Sequence, residues 1–147
     1  MRYSSLLFAM SAAVASAGGQ AARPSRADLL VTPAWLTAHV NDANLVVLHV
    51  GMDSRAEYAK AHIPGARYLE LDDIAVSSMN HTDSLMLELP SAEKLRAQLA
   101  ALGISDNSRV IVSFGGDDVS PSTRVMLTLY YAGLGARSSL LDGGIAA

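Results

Sequence analysis

Apolar positions in the 147-residue chain fall into short unbroken runs and into segments with helical spacing. Leu29-Leu30-Val31 predicts an edge strand. Leu45 to Val50 is apolar throughout except at His49, which predicts a strand buried on both faces, as in parallel sheets. Ala66 to Leu71 predicts a second short strand, and Ser138 to Leu141 a last one. Arg109 to Phe114, with Val110-Ile111-Val112 inside it, carries the strongest strand signal. Helical segments lie between these runs. Thr32-Pro33 supplies an N-cap and a proline at the first helical position, ahead of a helix over Ala34 to Val40. Ser54-Arg55-Ala56-Glu57 has capping-box spacing and opens a short helix through about Ala61. Ser91 caps a helix whose Leu95, Leu99 and Leu102 recur at i, i+4 and i+7, and Gly103 stops it. A further helix is expected over Ser122 to Ala132, with Gly133 as its stop. Asp72 to Pro90 is polar without a period and reads as a long surface loop.

Strands alternating with helices at these spacings predict an α/β domain with a central, mainly parallel sheet flanked by helices. Ligands in such sheets sit at the carboxyl ends of the strands, which singles out Gly51 to Ser54 and Gly115 to Pro121. The chain stops three residues after Gly144, following a strand and a turn. A last helix would be expected to cover that face, so the domain over residues 29–147 reads as incomplete at its C-terminal end.

The first residues read as an address. Arg2 gives a positive start, Leu6 to Val14 is an apolar run, and Ala15-Ser16-Ala17 is a small-residue cleavage site. The run is too short to span a membrane, which takes roughly 20 apolar residues. Residues 1–17 are expected to be a signal peptide and residues 18–28 a linker, with the domain periplasmic or secreted and free of membrane after cleavage.

Composition narrows the chemistry. Lys plus Arg is 11 and Asp plus Glu is 14, a net charge of −3 with no basic block, and aromatics are 5%. Neither phosphate neutralisation nor base stacking is served, so nucleic acid is excluded as a partner class. There is no cysteine, which removes disulfides, thiolate metal sites and any cysteine nucleophile. His39, His49, His62 and His81 lack ligand spacing, so no metal and no cofactor are expected. Gly115-Gly116 ahead of a helix suggests a phosphate cradle, but no P-loop lysine or dinucleotide pattern follows. Ser113 and Ser120 flank that loop; a serine nucleophile needs an oriented base, and no such pair can be read from spacing with His62.

Ser54-Arg55-Ala56-Glu57-Tyr58, followed by His62-Ile63-Pro64-Gly65-Ala66, resembles the rhodanese (thiosulfate sulfurtransferase) family. Leu141-Asp142-Gly143-Gly144-Ile145-Ala146-Ala147 is a second match, and Leu89-Pro90-Ser91 leading to Leu102-Gly103-Ile104-Ser105 a third. The resemblance runs from about Leu29 to Ala147 and implies a rhodanese-like fold. It also implies transfer of a sulfane sulfur from a donor such as thiosulfate to a thiophilic acceptor, carried by a cysteine at the end of a central strand. Phe114 or Gly115 stands where that cysteine would be, and Arg124 matches the arginine that follows the active loop. The departure is similar to the non-catalytic first domain of tandem rhodaneses, and implies a catalytic domain as partner. No residue is therefore assigned a catalytic role. Arg55, Gly115, Gly116 and Arg124 are the candidates for binding a small anion such as thiosulfate. The alternative expectation is an exported stand-alone module that binds a small anion or a partner protein on the Gly115 to Arg124 loop, using its amides and the following helix N-terminus.

Overall fold

The computed structural model describes residues 25–51, 55–76, 87–116 and 118–147. The readings of residues 1–24 as signal peptide and linker, and those on Ser54, His81 and Asp117, lie outside the described residues.

Helix α1 spans Arg26–Leu29 and runs into strand β1, Leu30–Val31. The Asp28 carboxylate accepts from the Ser25 hydroxyl at 2.7 Å and from the Ser25 N–H at 2.8 Å, which closes this first turn. Ordered secondary structure thus starts within the segment read as linker. Helix α2 spans Pro33–His39, capped by the Thr32 hydroxyl on the Trp35 N–H. Strand β2 is Leu45–Val50, helix α3 Arg55–Lys60 and strand β3 Arg67–Leu69. β3 is shorter than the apolar run suggests, because Glu70 and Asp73 cap each other across a 3-10 turn at Leu71–Asp73. Helix α4 spans Ala92–Ala101 and is capped by Ser91; strand β4 is Arg109–Phe114. Helix α5 spans Ser120–Tyr131, two residues earlier than the sequence pattern suggests, with Pro121 in its first turn. Strand β5, Ser138–Leu141, is followed by a 3-10 turn at Gly144–Ala146.

The five strands form one parallel sheet in the order β1-β5-β4-β2-β3. Alternation along each strand splits the core in two. Val110 and Val112 face α4 and α5, packing with Leu95, Leu99, Val125, Met126 and Leu129. Ile111 faces the other way, toward Leu36 of α2 with Val31, Val47 and Leu141. Val110, Ile111 and Val112 are all fully buried, as expected for a strand covered on both faces. The continuous apolar runs thus follow from burial on two sides, and the polar loops from the turns between layers. Among the described residues, no helix is long and apolar enough to cross a membrane.

The topology also locates the crevice. From β2 the chain moves outward to β3, whereas from β4 it moves the opposite way to β5. The order therefore reverses between β2 and β4, whose last residues, Val50 and Phe114, are level partners. An open parallel sheet binds ligands at such a point.

Candidate functional site

The segment leaving β4 at this point is Ser113-Phe114-Gly115-Gly116, and α5 begins four residues later. Ser113 is fully buried and its hydroxyl donates to the Leu48 carbonyl of β2 at 3.1 Å. It ties the two strands together and is closed to substrate. Gly115 is half-buried and Gly116 exposed; Gly116 has φ +61°, a left-handed backbone that a side chain disfavours. Gly144 supports the segment from beside it. A Cβ there would lie 2.5 Å from the Phe114 carbonyl oxygen and 3.0 Å from its ring. The Asp142-Gly143-Gly144 turn therefore packs against the end of β4 at a distance that only glycine permits.

The N-terminus of α5 already holds an anion, supplied by the chain. Asp118 Oδ1 accepts the Ser120 N–H at 2.8 Å. Bonds from the Ser120 side chain and backbone hold this carboxyl below the usual aspartate range, so it is charged at neutral pH. A carboxylate at a helix N-terminus satisfies free N–H groups and the positive end of the dipole. An acid two residues ahead of a Ser-Pro helix start is a capping signal legible in sequence, although the pair Asp117-Asp118 reads more readily as loop charge.

Of the four candidate binding residues, only Gly115 and Gly116 line this segment. Arg124 bonds away from it. Its Nη1 donates to Thr128 Oγ1 at 2.9 Å, one turn further along α5, and its Nη2 to the Leu87 carbonyl at 2.5 Å. Leu87 has φ +56°, the one left-handed non-glycine residue among those described. It stands next to Glu88, which bridges Val76. Arg124 thus ties the Leu87 backbone, ahead of α4, to α5; residues 77–86 of the expected Asp72 to Pro90 loop lie outside the described residues. Arg55 sits over the Tyr68 ring at 4.9 Å and faces Glu70 at 3.7 Å across solvent-exposed side chains. A pair of that exposure contributes roughly 0–1 kcal/mol. Ser120, the other serine considered for catalysis, bonds Asp118 at the helix start.

The motif on α3 builds a turn. The Tyr58 hydroxyl donates to the Ala66 carbonyl at 2.5 Å, and His62 Nδ1 bonds the Tyr58 carbonyl at 2.8 Å while its ring stacks on Tyr58 at 4.1 Å. His49 of β2 is buried against the Tyr58 and Tyr68 rings, at 5.3 and 6.1 Å. A lone histidine in an apolar strand gives no sequence signal for this aromatic stack, because its partners arrive from α3 and β3. Among the described residues, no group of three His, Asp or Glu side chains could hold a metal ion. The chain has no thiol. Among the described residues, the crevice thus offers loop backbone and glycines at the end of β4, with Ser113 and Ser120 both engaged in other bonds.

Comparison with known proteins agrees with this geometry. Residues 32–147 match the model of the rhodanese-like domain. The chain is 33% identical over 143 residues to thiosulfate/3-mercaptopyruvate sulfurtransferase 2 of Arabidopsis thaliana, covering 90% of this chain and 40% of that protein. It is 31% identical over 103 residues to 3-mercaptopyruvate sulfurtransferase of Rattus norvegicus, covering 70% of this chain and 33% of that protein. Among solved structures, SseA from Escherichia coli superimposes with a TM-score of 0.65 at 27% identity, covering 80% of this chain and 46% of that one. That structure was reported for the rhodanese fold and catalytic mechanism of 3-mercaptopyruvate sulfotransferases. The chain spans less than half the length of these relatives. The fold, the glycine turn beside β4 and the matched residues lead to one conclusion: the chain belongs to the rhodanese-like domain family, with thiosulfate and 3-mercaptopyruvate sulfurtransferases among its relatives.

Proposed function

We propose that this chain is a non-catalytic rhodanese module of a sulfurtransferase, and that a cysteine on a partner domain carries the sulfur. The observation that carries this reading is the absence of cysteine from all 147 residues of a chain whose relatives are sulfurtransferases. A persulfide forms on a thiolate; a glycine or phenylalanine at the end of β4 cannot supply one. Two further features support it. Asp118 fills the helix N-terminus with negative charge, which opposes an anionic donor. Arg124 is held on Leu87 and Thr128, away from the loop. The role left to the module is to cover and shape a partner's active site. Export follows from the expected signal peptide over residues 1–17 and makes the working compartment extracytoplasmic.

The test is an activity assay with thiosulfate and with 3-mercaptopyruvate as donors and cyanide as acceptor. The purified chain should give the buffer rate with both donors. A cysteine-bearing rhodanese domain added to it should turn over faster than alone. Sulfur transfer by this chain by itself would refute the proposal. An intact mass beginning at Gly18 would support export, and a native chain retaining Met1 to Ala17 would refute it.

A further inference from the structure

The side of the molecule opposite α2 carries an exposed apolar surface. Val119 at the N-cap of α5, then Thr123, Leu127 and Tyr131 on the helix, recur every fourth residue and are exposed as an uncharged stripe. Leu127 is 60% exposed and Tyr131 61%, the two largest exposures among the apolar side chains of the core helices. Most exposed apolar residues stand singly and need no explanation; a stripe along a whole helix does. Beside it, α4 and α5 enclose a groove of about 570 Å³. Leu95 and Leu99 form part of its floor, and Tyr131 lines it. Two opposite charges also line the groove, Arg96 and Asp106, and neither is in an ion pair among the described residues.

We propose that this face docks against a second copy of the chain. Charge selects the occupant. A face with one unpaired cation and one unpaired anion beside an uncharged stripe is self-complementary. A two-fold axis through the groove sets Arg96 of each copy against Asp106 of the other, while Leu127 and Tyr131 cover the facing helix. A nucleic acid or anionic membrane would require excess positive charge here, and the net charge is −3. The area sets the strength. Two helices of 10 and 12 residues present a face about 15–18 Å long at 1.5 Å per residue and about 20 Å wide, or about 300–360 Å², which falls below the roughly 800 Å² per partner of a standard interface. The dimer is therefore a weak one, in equilibrium with monomer at micromolar concentration. This inference rests on the α4–α5 face alone and is independent of the sulfur-transfer proposal.

Sedimentation velocity on the purified chain from about 5 to about 200 µM tests it, a range that brackets a weak interface. Concentration-dependent dimerisation is expected. Tyr131→Glu and Leu127→Glu should each weaken it at least about tenfold, near 1.4 kcal/mol. Arg96→Glu and Asp106→Arg should each weaken it as well, by setting like charges across the axis. The double exchange should restore association. Circular dichroism on each variant shows that the fold is kept. A chain monomeric throughout the range, a dimer indifferent to these substitutions, or a double exchange no better than the single ones would overturn the inference. So would capture of a different rhodanese domain on this face by a chain that stays monomeric alone.

Discussion

Arg124 is the residue where a binding role and a scaffolding role make opposite predictions, and Arg124→Ala separates them. The side chain is half-buried and makes two charge-assisted hydrogen bonds, to Thr128 Oγ1 at 2.9 Å and to the Leu87 carbonyl at 2.5 Å. Bonds from charged donors contribute about 1.5–3 kcal/mol each when buried. Partial exposure brings these nearer to about 1 kcal/mol each, or about 2 kcal/mol for the pair. One term offsets this. Leu87 is held at φ +56°, and a left-handed non-glycine residue costs on the order of 1 kcal/mol, which is released if the carbonyl is let go. The net loss is about 1–2 kcal/mol. At about 4 °C per kcal/mol for a domain of this size, the melting temperature should fall by about 4–8 °C. Arg124→Lys retains the charge and one donor, so it should lose about half as much. Differential scanning calorimetry with and without thiosulfate is the assay. The scaffolding role predicts the loss in stability and the same small response to thiosulfate in both proteins. An unchanged melting temperature, together with a thiosulfate-induced rise that vanishes in Arg124→Ala, would refute this reasoning and restore Arg124 as an anion ligand.

Asp118 should show in the acid limb of stability. Its folded pKa lies below the ordinary aspartate value of 3.8, so its contribution is present above that value and is lost as the pH falls through the lowered one. Asp118→Ala should therefore be less stable than the parent chain at pH 7 and equal to it near pH 2, as read from urea melts at each pH. Gly144→Ala sets a Cβ 2.5 Å from the Phe114 oxygen on a backbone at φ +61°, and should cost about 2–3 kcal/mol in the same melts; a neutral effect would mean the turn is free to move away from β4. Gly115→Cys should produce a thiol that titrates near its ordinary value of about 8.5 in the pH dependence of alkylation, because Asp118 already neutralises the helix end. Sulfur transfer from thiosulfate by that variant would show that the loop itself is competent and that only the thiol is missing.

The sequence by itself determined the order of elements and the class of fold. β2, β4 and β5 keep the bounds their patterns predict, because strands covered on both faces favour apolar side chains, and the buried hydroxyls of Ser113, Ser138 and Ser139 each donate to a backbone carbonyl. It also determined the central chemical fact, since the absence of a thiol is a property of composition. Element ends were less legible. β3 ends early and α5 starts early because Glu70 with Asp73, and Asp118 with Ser120, settle the ends through side chain-to-backbone bonds. Only the tertiary structure decided which residues meet. Gly115 and Gly144 are 29 positions apart in sequence, and the order β5-β4-β2 brings the two turns together. The same holds for Arg124 on Leu87, for Arg55 over Tyr68, and for His49 against Tyr58 and Tyr68. Local pattern reports each residue's preference for burial or capping. Which partner fills that preference is set by strand order and register, which arise from packing the whole sheet between its helices.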